Sequence, residues 1–157
     1  MTQVDIRYVG TPAEIDFARA LFREYQQSLQ IELCFQSFEE ELANLPGKFT
    51  EPHGCILLAR CRGQVAGCVA MRPLSDAVCE MKRLFVRPSV RGAGVGRALA
   101  ERILQEARGR GFVAMRLDTI PAQMPRAAAL YRSMGFVNIP AYYEYPIAGA
   151  EYFELRW

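Results

Sequence analysis

Hydrophobic positions in the first part of the chain follow a strand-like period and then a helical one. Residues 3–9 alternate apolar and polar side chains, which predicts a half-buried strand. Thr11 and Pro12 are typical of a helix start, and Glu14, three residues after Thr11, completes a capping box. Apolar residues then recur at helical spacing as far as Leu29. We therefore expect an amphipathic helix with one buried face.

The next segment predicts a second, shorter helix over residues 37–45. Ser37 and Glu40 have the spacing of another capping box. Pro46 and Gly47 follow, and both residues disfavour a continuing helix. We expect the helix to end just before them.

From Cys55 the hydrophobic period becomes that of strands. Residues 55–74 predict two strands joined at Arg62-Gly63-Gln64, a hairpin with the glycine in its turn. A third strand is expected over 77–86, and Pro88 closes it. These three strands form a group without an intervening helix.

The rest of the chain alternates helices and strands. Helices are expected at 95–108 and 124–134, and strands at 113–120, 136–139 and 152–157. Strands grouped early, with a strand–helix–strand unit later, predict a mixed sheet with helices on both faces. The fold class is therefore α/β (an α+β mixed sheet), in one domain over residues 1–157.

Composition removes several classes of protein. A chain of 157 residues that is 51% hydrophobic suits one domain with its own core. Asp5 and Arg7 interrupt the N-terminal segment and no apolar run reaches about 18 residues, so we expect a cytoplasmic protein without a membrane partner. Five cysteines without metal-ligand spacing indicate neither a disulfide framework nor a metal site, and a net charge of +2 does not favour nucleic acid.

A glycine-rich loop is the first candidate for chemistry. It carries Gly92, Gly94 and Gly96 between a strand ending at Val86 and a helix starting at Val95. Free backbone N–H groups and the positive end of a helix dipole come together there, and this arrangement binds phosphate. The flanking residues Arg91 and Arg97 add charge-assisted contacts.

Two other phosphate-binding motifs were tested by their spacing. The dinucleotide motif G-x-G-x-x-G fails, because its last position is Arg97 or Leu99 here. Asp118 does lie at a suitable distance for a ribose-binding acid, so a Rossmann-type oxidoreductase remains an alternative. A P-loop, G-x-x-x-x-G-K-[ST], requires a lysine directly after its last glycine. None of the glycines in this loop is followed by a lysine.

Two motifs resemble those of the GNAT superfamily of acyl-CoA N-acetyltransferases. Residues 91–96, R-G-A-G-V-G, match its R/Q-x-x-G-x-G/A loop, and Val86-Arg87-Pro88 matches the preceding V-x-P. Ala127, Leu130-Tyr131 and Gly135-Phe136 match its A-x-x-L-Y-x-x-x-G-F signature. The order and spacing of elements agree over nearly the whole chain.

The resemblance implies a mostly antiparallel mixed sheet whose fourth and fifth strands, here 77–86 and 112–119, splay apart around acetyl-CoA. It implies no metal. The cofactor-binding residues that it implies are Leu84, Phe85, Val86, Arg91, Gly92, Ala93, Gly94, Val95, Gly96 and Arg97.

Acetyl transfer to an amine needs a proton acceptor and benefits from a proton donor at the leaving sulfur. Glu80 is the expected base, because some family members carry a glutamate there and an apolar strand would raise its pKa. Ion pairing with Lys82 or Arg83 is the structural alternative, and water chains are the catalytic one. Tyr131 is the expected acid by resemblance, with aromatic packing as its alternative. Met124 replaces an asparagine common in the family, which puts an amide contact in doubt.

The acceptor side is less defined. Late aromatic residues could line an acceptor pocket, form a dimer contact or pack in the core: Tyr142, Tyr143, Tyr145, Tyr152 and Phe153. Glu32 and Glu39–Glu41 could attract a cationic amine, and His53 fits a surface turn.

The function expected from these residues is transfer of an acetyl group from acetyl-CoA to a primary amine by direct attack. Small amines, an amino acid, an antibiotic amine and a protein amine all remain open as acceptors. A non-catalytic CoA-binding or sensing module is the main alternative. The resemblance also allows a homodimer.

Overall fold

A computed structural model describes residues 3–29, 37–144 and 146–157. The strands are β1 (Val4–Tyr8), β2 (Cys55–Cys61), β3 (Gln64–Pro73), β4 (Val78–Val86), β5 (Ala114–Thr119), β6 (Val137–Ile139) and β7 (Glu151–Arg156). The helices are α1 (Pro12–Leu29), α2 (Phe38–Ala43), α3 (Val95–Gly109) and α4 (Pro125–Ser133), with short 3₁₀ turns at Gly47–Phe49 and Pro88–Val90. In the described ranges, none of the helices is long and apolar enough to cross a membrane.

All seven strands belong to one sheet in the order β1-β2-β3-β4-β5-β7-β6. Neighbouring strands are antiparallel except β4 and β5, which run parallel. The predicted mixed sheet is confirmed. A Rossmann unit requires an open, mostly parallel sheet, so the oxidoreductase alternative is wrong.

Local sequence signals explain where two elements begin. Glu14 Oε1 accepts a hydrogen bond from Thr11 N at 2.9 Å, and Thr11 Oγ1 accepts one from Glu14 N at 3.2 Å, so the capping box of α1 is confirmed. Arg62 and Gly63 both have positive φ, at 55° and 76°, as the two-residue hairpin between β2 and β3 requires. The capping box predicted for α2 is wrong. Ser37 has a left-handed backbone and its side chain makes no capping bond.

The sheet separates two apolar clusters. Helices α3 and α4 cover one face, where Leu99, Ile103 and Tyr131 pack on alternate strand residues such as Met81. Helices α1 and α2 cover the other face with Phe22 and Leu42, but only over β2, β3 and the end of β4. The part of this second face that belongs to β5 and β7 carries polar side chains, because strand alternation places their apolar residues beneath α3 and α4.

The parallel pair β4–β5 separates soon after it begins. Its register contains Val78 with Ala114, Cys79 with Met115, and Glu80 with Arg116, and no later pair. The rest of β4 is bonded only to β3, and the rest of β5 only to β7, among the described strands. The predicted splay of the fourth and fifth strands is therefore present.

An arginine marks the bend in β4. Arg83 has a φ of 61°, and the register with β3 shifts opposite it, which is a β-bulge. Its side chain is 4% exposed and forms two hydrogen bonds of 3.0 Å with the carboxylate of Glu41 on α2. Because a buried arginine needs a counter-charge, this ion pair fixes α2 on the bulge.

We expect Glu41→Ala to destabilise the fold by about 3–5 kcal/mol, since it leaves the Arg83 guanidinium buried and unpaired. Glu40→Ala is the matched control on the same helix. Glu40 is exposed, and we expect a change within about 0.5 kcal/mol. Urea unfolding measures both values. Equal stabilities of the two variants would contradict a structural role for the ion pair.

Candidate active site

Three cavities lie in a row across the gap between β4 and β5. We name them the loop cavity, of about 540 Å³, the wedge cavity, of about 30 Å³, and the polar cavity, of about 760 Å³. Leu84 and Met124 line both the loop and wedge cavities. Lys82 and Asp118 line both the wedge and polar cavities. A ligand in the loop cavity can therefore meet one in the polar cavity at the wedge.

The loop cavity brings together most of the predicted cofactor-binding residues. Its lining includes Leu84, Phe85, Val86, Arg91, Gly92, Gly94, Val95 and Gly96. Ala93 and Arg97 do not line it. Ala93 packs on the core, and Arg97 donates a hydrogen bond of 2.7 Å to Ser133 Oγ on α4.

The glycine loop leaves the start of α3 open to an anion. Gly92 and Gly94 have φ values of 88° and 80°, a conformation that glycine adopts without strain. Gly94 is the N-cap of α3 and supplies no side-chain acceptor to the first N–H groups of the helix. These donors, with the helix dipole behind them, favour a phosphate group. Arg91 also lines the cavity, while its Nε bonds to Val86 O at 3.1 Å.

The first turn of α4 was not anticipated as part of this cavity. Pro125, Arg126 and Ala127 line it from the side opposite the loop. Arg126 makes no hydrogen bond or ion pair with any residue of the described ranges. The signal was in the sequence, because a cation in the first turn opposes the helix dipole unless an anion is near.

Tyr131 lies in the wedge, where β4 and β5 separate. Its ring packs 5.8 Å from Phe136 and 6.5 Å from Phe153, and it lines the wedge cavity with Leu84 and Leu117. Burial raises the pKa of Tyr131 well above its ordinary value, so the phenol stays protonated. Met124 is the N-cap of α4 and lines the same cavity, so the departure from the family pattern falls next to the wedge.

Glu80 is held inside a network of donors. Its side chain is fully buried, and Tyr142 Oη donates to Oε2 at 2.7 Å. Tyr143 Oη donates to the same oxygen, and Arg72 Nε donates to Oε1 at 2.9 Å. Lys82 Nζ is 3.9 Å from Oε1. The alternative role of Glu80, ion pairing with Lys82 or Arg83 at the surface, is therefore present in part. Glu80 lies near Lys82 and pairs with Arg72, not with Arg83, and it is buried.

The predicted upward shift of the Glu80 pKa is wrong. Burial alone would raise this pKa, but the positive charge of Lys82 and the hydrogen bond from Tyr143 outweigh it, with further help from Arg72 and Tyr142. The pKa of Glu80 therefore lies below its ordinary value of 4.5. Arg72 was missed by the sequence reasoning. The sequence could have indicated Arg72, because in the antiparallel β3–β4 hairpin it lies opposite the oppositely charged Glu80.

The remaining predicted residues have varied positions. Tyr143 and Tyr152 line the polar cavity, whereas Phe153 is buried in the core. Tyr145 and Glu32 lie outside the described residues. Glu41 is turned towards Arg83 and Lys48, and Glu39 pairs with Arg23, so these acids do not face the polar cavity.

The histidine and the cysteines of the described ranges form no catalytic or metal-binding arrangement there. His53 lies in an exposed turn, as predicted. The described cysteines are buried and unpaired. No group of metal-ligating side chains occurs in the part of the chain that the structure describes.

Because the pKa of Glu80 is lowered on folding, its ionised form stabilises the protein above pH of about 4.5, and this stability is lost as the pH falls through the folded-state pKa. We expect Glu80→Gln to cost about 2–3 kcal/mol at neutral pH, since one acceptor is lost from a buried network. The difference in melting temperature from the wild type should narrow below pH 4.5.

Thermal unfolding between pH 3 and pH 7 measures this difference. Glu101→Gln removes an exposed carboxylate of α3 and serves as the control. A difference for Glu80→Gln that stays constant over the whole range would contradict the lowered pKa.

The chain also matches known proteins. It fits the model of the Acetyltransferase (GNAT) family over residues 16–136. An uncharacterized N-acetyltransferase of Schizosaccharomyces pombe is 39% identical over 157 residues, covering 99% of this chain and 96% of that protein.

Two solved structures share the fold. PaiA N-acetyltransferase of Thermoplasma acidophilum, in complex with coenzyme A, has a TM-score of 0.76 at 14% identity and covers 99% of both chains. The structure of yncA from Salmonella typhimurium, with its cofactor acetyl-CoA, has a TM-score of 0.72 at 17% identity, over 98% of this chain and 94% of that one. At these identities the likeness shows the fold alone. The family match covers most of the chain and agrees with the splayed sheet, so this protein belongs to the acetyltransferase (GNAT) family.

Proposed function

We propose that the protein transfers an acetyl group from acetyl-CoA to a primary amine. The observation that carries the proposal is the row of three cavities through the gap between β4 and β5. One end of this row has an open helix start suited to phosphate, and the other end is polar. The two substrates can therefore approach from opposite ends of this row and meet at the wedge.

The residues of the loop cavity fit coenzyme A. The N–H groups at the start of α3 and the conformation of Gly92 and Gly94 suit its diphosphate. Arg91 and Arg126 add positive charge on two sides of the cavity. The main chain of Leu84–Val86 pairs with no β5 residue among the described strands and suits the amide groups of the pantetheine arm, although Val86 O accepts a bond from Arg91 Nε. The coenzyme A and acetyl-CoA held by the two structural neighbours support this assignment.

When bound, acetyl-CoA supplies a thioester whose carbon–sulfur bond breaks as the amine nitrogen bonds to the acetyl carbon. Tyr131 lines the wedge and keeps its proton, so we assign it to give that proton to the leaving sulfur. Solvent then restores the proton of Tyr131. The products are an N-acetylated amine and coenzyme A with a free thiol.

Glu80 accepts the amine proton in this proposal, but only through another residue. It lines none of the three cavities, whereas Tyr143 lines the polar cavity and donates its hydroxyl hydrogen to Glu80. Tyr143 therefore takes the proton of the amine on its oxygen as it passes its own proton to Glu80. The relay is concerted, so Tyr143 itself stays protonated. Glu80 is a weak base because its pKa is lowered, and it passes the proton on to solvent.

A cytoplasmic location and a homodimer stay predictions from the sequence and the family resemblance. Gel filtration coupled to light scattering measures the assembly. Neither prediction enters the chemistry proposed for Glu80, Tyr143 and Tyr131.

We expect acetyl-CoA at about 100 times its dissociation constant to raise the melting temperature by roughly 5–10 °C, whereas NADH has no effect. Gly94→Glu should abolish this shift, because a carboxylate then occupies the diphosphate position. Gly94→Gln is the matched control. It has the same size and the same positive-φ cost of about 1–2 kcal/mol without the charge, and should keep most of the shift.

Tyr131→Phe separates binding from chemistry in the same assay. We expect it to keep the acetyl-CoA shift and to lose turnover. Full turnover of Tyr131→Phe would contradict its role as the acid. A flat thermal response of the wild type to every CoA ester would overturn the proposed function.

Thiol release tests the proton relay. We expect Glu80→Gln and Tyr143→Phe each to lower kcat by about 100-fold or more, the usual contribution of a positioned acid or base. Tyr142→Phe is the control, since Tyr142 also bonds to Glu80 Oε2 but does not line the polar cavity. Its kcat should fall less than about tenfold. Equal losses for Tyr142→Phe and Tyr143→Phe would mean that both act only by holding Glu80, and normal rates for all three variants would favour a water chain.

A further inference from the structure

The polar cavity has the volume of a small-molecule site and an unusual set of charges. At about 760 Å³ it is large enough for an amino acid with any side chain. Its charged lining residues are Lys48, Arg72, Lys82, Asp118 and Glu144. A cavity for a simple amine would need acids in excess, but here three of these five residues are cations.

Strand alternation explains how these charges meet. Arg72 on β3 pairs across the sheet with Glu80 on β4, and Lys82 lies two residues further along β4 on the same face. Asp118 lies two residues beyond Arg116, the register partner of Glu80 on β5. All of them are on the part of the face that α1 and α2 leave uncovered by apolar side chains. The cluster is therefore a property of the strand register.

Glu80 lies behind the cavity wall, where its charge offsets part of that of Arg72 and Lys82. Its oxygens already accept bonds from Arg72, Tyr142 and Tyr143. Arg72 Nε donates to Glu80, and Nη2 donates to Tyr143 Oη at 3.3 Å. Arg72 lines the cavity, and its other N–H groups remain as donors for a ligand there. Lys48, by contrast, is paired with Glu41 at 2.9 Å.

Lys82 is the least satisfied of the cations. Its side chain is 6% exposed, yet Nζ lies 3.5 Å from Asp118 Oδ1 and 3.9 Å from Glu80 Oε1. Hydrogen bonds from ammonium groups to carboxylates are normally about 2.7–2.9 Å. The Lys82 ammonium also lies 5.4 Å from the centre of the Tyr143 ring, but neither this contact nor the two long ones is a short hydrogen bond. An anionic oxygen in the cavity would supply one.

The same residues indicate how an acceptor would be oriented between the wedge cavity and the polar cavity. Lys82 and Asp118 border both the wedge and the polar cavity, whereas Arg72 borders the polar cavity alone. An amine held by Asp118 would therefore lie at the wedge, next to the acetyl group. A carboxylate held by Arg72 would lie on the far side of it, with Lys82, which borders both cavities, between the two groups.

We infer that the acceptor is an amine that also carries a carboxylate, a free amino acid or a similarly small zwitterion, with Arg72 and Lys82 binding the carboxylate and Asp118 the amine. This inference rests on the proposed function. The ammonium first gives one proton to solvent in the polar cavity, which leaves a nucleophilic amine. Its nitrogen then bonds to the acetyl carbon as the carbon–sulfur bond breaks, the second nitrogen proton leaves through Tyr143 to Glu80, and Tyr131 protonates the sulfur. The product is an N-acetylamino acid.

The wild-type enzyme tests the inference directly. Thiol release from acetyl-CoA is measured with matched acceptors: phenylalanine against phenethylamine and phenylalaninamide, lysine against cadaverine, and a peptide with a free N-terminus for the protein class. We expect kcat/KM for one or more of the amino acids to exceed that for its own decarboxylated and amidated analogues by about 10- to 100-fold, the value of a charge-assisted bond left unmade.

Variants assign the preference to the cavity. Arg72→Gln should raise KM for the preferred amino acid by about 10- to 100-fold and change KM for its decarboxylated analogue little. Arg116→Gln is the control. Arg116 is a cation of the same sheet, on β5, that pairs with Glu154 at 2.8 Å and does not line the polar cavity, so the preference should be unchanged. Because Arg72→Gln also weakens the Glu80 network, each variant is first checked for folding and for its acetyl-CoA thermal shift.

The outcomes separate the two claims. Plain amines or the peptide reacting as fast as the amino acids would overturn the zwitterion and leave the acetyltransferase intact. Acetyl-CoA binding without thiol release for any acceptor would overturn both claims in favour of a CoA-binding module. Equal loss of preference in Arg72→Gln and Arg116→Gln would remove the assignment to Arg72.

Discussion

The separation of β4 from β5 is the constraint on which the rest of the structure depends. Two parallel strands that remained paired would bond to each other and close the sheet, whereas here the pairing ends at Glu80 and Arg116. The bulge at Arg83 turns the end of β4, and its ion pair with Glu41 holds α2 against that bend. At the gap, Leu84–Val86 of β4 line the loop cavity, and the side chains of Lys82 on β4 and Asp118 on β5 line the polar cavity. One irregularity in the sheet thus creates both halves of the site.

Where the two strands separate, the sheet carries a set of charged side chains in its middle. Arg72, Glu80, Lys82 and Asp118 lie where a closed sheet would carry apolar residues. Buried charges persist only when they are paired and hydrogen-bonded, and Glu80 meets this condition with donors from two tyrosines and an arginine. Lys82 meets it least well, with contacts of 3.5 Å and longer. The network thus holds Glu80 ionised and leaves Lys82 with donors for a ligand.

Glu80 shows why local sequence is a poor guide to the state of a buried acid. An apolar strand predicts a raised pKa when desolvation alone is considered. The largest opposing effect is the charge of Lys82, two residues along the same strand, and it is joined by donors from distant residues, Tyr143 and Tyr142, and by Arg72 on β3. Arg126 is a different case, since its place in the first turn of α4, against the helix dipole, can be read from local sequence alone. The cap of α2 failed because Ser37 adopts a left-handed backbone that removes its side chain from the helix start.

The sequence by itself determined the elements and the glycine-rich loop before α3. These depend on local spacing: the capping box at Thr11 and Glu14, the turn at Arg62 and Gly63, and the glycines before α3 all act within a few residues. Only the tertiary structure decided which side chains line the polar cavity and which donors hold the carboxylate of Glu80. Charge, burial and reach are set by strands that meet across the sheet, and a residue such as Lys82 acquires its neighbours on β5 only once the chain has folded.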